Sequence, residues 1–127
     1  MFEQDYIMRV IREMVRALLK LLFHINTEAP TEELCERLKE KDTLNVLLEL
    51  VDSGDINEAE NRVYELVYNG NKEALEVALL FYSYLNEKTD DFLAEHDFSR
   101  KEIKEGLADI VSRYGLGGLT DVFLTDS

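Results

Sequence analysis

The chain has 127 residues, with 14 Lys+Arg against 27 Asp+Glu, one Cys, two His, one Pro and no Trp. That length fits one domain, and 46% hydrophobic with 32% charged residues excludes wholesale disorder. A lone cysteine excludes an internal disulfide and, with two histidines, a closed structural zinc site. The formal charge of −13 repels a phosphate backbone and so argues against nucleic acid as a partner.

The first helix is predicted over residues 3–24. Glu3 and Asp5 open it and Lys20 interrupts the run Ala17 to Phe23, so it does not read as a secretory signal. No apolar run approaches the ~18 residues of a spanning helix. A soluble, cytoplasmic protein is the expectation. At about 100° per residue, Ile7, Met8, Val10, Ile11, Met14, Val15, Ala17, Leu18, Leu19, Leu21 and Leu22 form an apolar arc about 200° wide. Arg9, Arg12, Arg16 and Lys20 make a basic stripe in the remaining sector, flanked by Glu13 and His24.

Residues 26–30 read as a connector ended by Pro30, with Thr31 as the cap of a second helix from Glu32 to about Lys41, where Leu34, Cys35 and Leu38 make a narrow apolar stripe. Asp42 or Thr43 is the expected cap of a third helix, with Leu44, Val46, Leu47, Leu48, Leu50 and Val51 as buried candidates and Gly54 as its stop. Asp55 and Glu58 form a variant capping box for a fourth, with Ala59, Val63, Leu66 and Val67 inward. Asn69-Gly70 ends it and Asn71 caps the fifth, Lys72 to about Lys88, apolar nearly all round and hence central. Thr89 caps a short helical turn. Ser99 and Glu102 form a full capping box for the last helix, which Gly115-Leu116 closes. The fold class is therefore all-α, six to seven helices in antiparallel hairpins over residues 1–116, with residues 117–127 expected as a flexible tail.

Two resemblances add to this reading. The stretch Leu50-Val51-Asp52-Ser53-Gly54-Asp55-Ile56-Asn57-Glu58-Ala59, followed by Val63 and Leu66, resembles the helix-turn-helix of the tetratricopeptide repeat, within a repeat-like hairpin over residues 43–71. It departs from the motif at Leu47, where a small residue is usual, at Leu66 for a common alanine, and at Asn71 for the closing proline. The opening Met1-Phe2-Glu3-Gln4-Asp5-Tyr6-Ile7-Met8-Arg9 through Met14, running on to Leu21-Leu22-Phe23, resembles a family of small all-helical bacterial proteins of unknown function. That resemblance implies the helical fold and a bacterial cytoplasm, and no activity.

Chemistry-bearing groups are sparse. Cys35 and His24 would be a nucleophile and base only with an orienting third group, and the expected roles are a buried structural cysteine and an exposed histidine. Asp90, Asp91, Glu95, His96 and Asp97 form the densest acidic cluster, yet lack the spacing of known metal motifs; helix capping and a solvated face account for them equally. No nucleotide-binding or serine-hydrolase motif is present. Tyr64, Tyr68, Tyr82 and Tyr84 flank the fourth and fifth helices as core margin or partner contacts.

Charge is unevenly placed. Residues 1–24 hold four Lys+Arg and three Asp+Glu, leaving ten and 24 for the rest, so a basic helix is attached to a body of net charge −14. Three fates are open to that helix: core, with Arg9, Arg12, Arg16 and Lys20 paired to the acidic body; a homodimer contact; or a membrane surface, which the acidic body disfavours. The favoured function is a non-catalytic interaction or scaffold domain without cofactor, binding a protein partner around the third to fifth helices through Tyr64, Tyr68 and Tyr82. The alternatives are peripheral membrane docking and a metal-dependent enzyme using residues 90–97.

Overall fold

Local signals lay down the elements of this computed structural model, which describes residues 2–25, 30–36 and 41–118. These are α1 (Phe2–Phe23), α2 (Thr31–Glu36), α3 (Lys41–Asp52), α4 (Ile56–Tyr68), α5 (Lys72–Asn86), α6 (Asp90–Glu95) and α7 (Arg100–Arg113), with no strand among the described residues. Three predicted caps close as expected. The N–H of Ala74 donates to Asn71 Oδ1 at 2.7 Å, that of Phe92 to Thr89 Oγ1 at 3.0 Å, and that of Glu102 to Ser99 Oγ at 3.3 Å. Each satisfies one orphan donor of a first helical turn.

Other boundaries differ from expectation for physical reasons. Asp55 makes no side-chain cap bond. It still stands at the N-cap of α4, its carbonyl accepting from Ala59 N–H at 3.0 Å, while its own N–H reaches Leu50 O at 2.8 Å around Gly54, whose φ of +89° suits a residue without Cβ. Thr31 lies inside α2 rather than before it, and its hydroxyl serves tertiary packing, donating to Glu87 Oε2 at 2.7 Å and meeting Ser83 Oγ at 3.1 Å. Asp42 and Thr43 fall within α3, which begins at Lys41. The expected continuation of the second helix over residues 37–40 lies outside the described residues, as does the tail beyond Gly118.

α5 is the centre. Leu75, Val77, Ala78, Leu79, Leu80, Phe81, Tyr82 and Leu85 are all buried on it, and α1, α2, α3, α4 and α7 pack around it. A stacked repeat array would have each pair touch only its neighbours; here the core closes around one helix. Side-chain contacts fix directions. Asn86 Nδ2 donates to Met8 O at 2.9 Å at one end, and Lys72 Nζ lies 5.3 Å above the Phe23 ring at the other, so α1 runs opposite to α5. α7 does the same, with Arg100 at the end of α5 and the Tyr114 hydroxyl donating to Asn71 O at 2.6 Å at its start.

α1 lies in the core. Ile7, Ile11, Met14, Val15, Leu18 and Leu19 are buried, while Val10, Ala17 and Leu22 are half-buried and Leu21 is 63% exposed. The apolar arc is thus wider than the face that α5 and α7 cover. The expected pairing of the basic stripe with the body is absent at three of its four positions: Arg9, Arg12 and Lys20 are exposed and form no ion pair among the described residues, whereas half-buried Arg16 has an interaction partner.

Candidate functional site

A groove of about 760 Å³ lies where α3, α4 and the start of α5 meet. α3 supplies Thr43, Val46 and Leu47; α4 supplies Arg62, Glu65 and Leu66; Asn69 and Asn71 come from the turn that follows, and Glu73, Ala74 and Val77 from the start of α5. The groove exists because the turn 69–71, with Gly70 at φ +72°, sends α5 back along α4 while the Asn71 cap keeps its first turn wound. Val46, expected among the buried residues, is 45% exposed on this surface. It stands about 200° round the helix from buried Leu44, so helical phase carries the signal that its apolar character hides.

The tyrosines separate. Tyr68 is 84% exposed and, with Tyr64 and Arg113, lines a shallower hollow of about 500 Å³ that shares Glu65 and Asn69 with the groove. Tyr64 is half-buried and held, its hydroxyl donating to Asp109 Oδ2 at 2.8 Å beneath the Arg113 guanidinium. Burial first, then the bond to Asp109, pushes its phenol well above the ordinary value, so it stays a donor. Tyr82 is fully buried and cannot touch a partner. Its hydroxyl donates to Glu60 Oε2 at 2.7 Å. Glu60 is in turn raised above the ordinary carboxyl value by burial and by Glu102 and Asp109, against the lowering effect of the Tyr82 bond. Tyr84 is half-buried and bonds Asp52 at 2.7 Å, as does Lys88 Nζ.

Within the acidic cluster Asp90, His96 and Asp97 take structural roles. Asp90 Oδ1 lies 3.2 Å from Arg100 Nη2. His96 packs on the Phe92 ring at 4.7 Å and on Gly54, and Asp97 takes the left-handed φ of 57° that closes α6. Among the described residues no three His, Cys, Asp or Glu side chains converge as a metal ion requires. His24 closes α1 at φ 58° and is exposed, whereas the Cys35 side chain lies outside the described residues.

A family model described as a family of unknown function (DUF6483) matches residues 1–115. The chain belongs to that family. No curated protein and no solved structure matches it. The expectation of a small helical family of unknown function holds, and membership assigns no activity to the groove. No helix among the described residues is long and apolar enough to cross a membrane. The surface near the groove is suited to holding an apolar segment: an apolar floor of Leu47, Leu66, Ala74 and Val77, an exposed valine, a neighbouring tyrosine and a charged rim.

Proposed function

We propose that this is a non-catalytic protein-interaction domain that receives a partner segment in the groove between α3, α4 and α5. The observation that carries the reading is Val46, an aliphatic side chain left 45% exposed over a concave apolar floor. A groove of this size falls in the range that takes specific ligands, and exposed Tyr68 on its flank is of the type that anchors interfaces. The α3–α4 pair supports the reading in the manner of a tetratricopeptide hairpin, which presents helix surfaces to partner segments. On this reading the protein acts in the bacterial cytoplasm and needs no cofactor.

Cross-linked affinity capture with the full chain, comparing wild type with Val46→Glu and Tyr68→Ala, tests it. Both positions are exposed, so both variants are expected to fold. A specific partner retained by wild type should fall about tenfold with Val46→Glu, since a buried valine contributes roughly 1.5–3 kcal/mol. Identical capture by all three proteins would sink the reading.

A further inference from the structure

We infer that the occupant of the groove is the basic edge of α1 from a second copy of this chain. This rests on the interaction reading above and names the partner of the same groove. The large hydrophobic side chains exposed among the described residues are Tyr6, Leu21, Val46 and Tyr68; Tyr6 lies at the far end of α1, which leaves two patches, Leu21 near the end of α1 and Val46 with Tyr68 on and beside the groove. Their charged settings are opposite. On α1 the exposed cations Arg9, Arg12 and Lys20 have no ion pair among the described residues, within a chain of net charge −13, and Lys20 is the one that adjoins Leu21. On the groove rim Glu65 and Glu73 are exposed and equally unpaired, while the rim's cation, Arg62, is held by Glu58 at 3.0 Å.

A chain cannot satisfy its own groove. Ile11, Met14 and Leu18 are fully buried on the other face of α1 against the core, which fixes the helix along α5 and α7. Another copy must therefore supply the edge. The donating end and the receiving groove lie at the same end of α5: Lys20 and Leu21 are next to Phe23, whose ring sits under Lys72, and Lys72 adjoins Glu73 of the rim. Two copies can thus exchange the contact reciprocally, and a closed two-fold exchange stops at a dimer. Leu21 of each copy then covers Val46 of the other, with Lys20 facing Glu65 and Glu73.

Sedimentation equilibrium of the full chain is expected to show a dimer at about 0.15 M ionic strength, where the repulsion between two chains of net charge −13 is screened beyond about 8 Å while the close Lys20–glutamate contacts persist. Lys20→Glu and Glu73→Lys should each raise the dissociation constant about tenfold, and the double variant should recover most of that loss. Leu21→Ser should also weaken the dimer. A wild-type monomer at that ionic strength, or a dimer indifferent to these variants, overturns the inference. So does a monomer that sediments with anionic vesicles through Lys20, which would assign the edge to a bilayer. A photo-crosslinking phenylalanine analogue at Val46 separates this inference from the broader one. An adduct of twice the chain mass supports the second copy; an adduct with a different protein overturns it and leaves the groove an interaction site; no adduct removes both.

Discussion

The Tyr82 hydroxyl on α5 reaches Glu60 on α4 through space left open by Gly106 of α7: a Cβ at residue 106 would press on both the hydroxyl and the Glu60 carboxylate. A glycine inside a helix costs about 1 kcal/mol relative to alanine, yet here it lets three helices share one polar contact. Gly106→Ala is therefore expected to destabilise by about 1–3 kcal/mol despite its better helix propensity. Tyr82→Phe should cost about 1–2 kcal/mol, because half-buried Glu60 loses its donor. Phenylalanine leaves room for the new methyl, so the double variant should cost less than the sum by at least about 0.5 kcal/mol. Urea unfolding of the four proteins measures this, and additive energies would refute the shared contact.

Glu60 also sets a pH dependence. Its carboxyl is raised above its ordinary 4.5, first by burial and then by Glu102 and Asp109, so the folded chain holds that proton more tightly than the unfolded one. The stability it contributes is fully present below 4.5 and is lost as pH rises through the higher folded value. Asp52 works in the other direction. Burial opposes its ionisation, but bonds from Lys88 and Tyr84 prevail and lower it below 3.8, so its contribution is lost on acidification. Glu60→Gln keeps an acceptor for Tyr82 and removes the charge. Its stability relative to wild type should rise between about pH 4 and pH 7. A difference that stays flat across that range in thermal unfolding would refute the assignment.

What was legible in the sequence was what short-range rules decide. The caps at Asn71, Thr89 and Ser99 each join residues three apart, and the all-round apolar character of α5 needs no knowledge of its neighbours. What was not legible depends on which helix covers which face. Leu21 and Val46 carry the same apolar character as Leu18 and Leu47, and they are exposed because no described helix packs over them. The Tyr82–Glu60 bond spans 22 residues and its clearance comes from a third helix. Its one sequence trace is a glycine in the middle of a strong helical pattern, which points to close packing without saying against what. Residues 90–97 looked like a ligand set because acids suit a helix start and because Asp97, not glycine, takes the left-handed stop of α6.

His96 supplies a third test. Its imidazole lies where a Cβ at Gly54 would stand, and Gly54 also needs φ +89°. Gly54→Ala therefore meets both backbone strain and a blocked space, and it should destabilise by about 1–3 kcal/mol. Adding His96→Ala should return the packing part and leave the strain. If Gly54→Ala costs the same in both backgrounds by chemical denaturation, the histidine is not its neighbour in solution.

Arg100 is the side chain whose loss should be felt most among the charged groups. It is 4% exposed at the first turn of α7, donating to Asn86 O at 2.6 Å and to Lys88 O at 2.5 Å. The first carbonyl is that of the last residue of α5 and the second lies just past its cap, where cations are favoured by the helix dipole. Asn86 in turn holds Met8 O, so one guanidinium links α7, α5 and α1. Arg100→Met leaves buried carbonyls without donors and should cost about 2–4 kcal/mol. Arg100→Lys should recover less than half of that, because one ammonium cannot reproduce the planar fork. Asp90, its ion-pair partner, has a side chain 56% exposed, so Asp90→Asn should cost less than about 1 kcal/mol. Equal losses for Arg100→Met and Asp90→Asn in thermal unfolding would mean that the ion pair, and not the capping of α5, is what Arg100 provides.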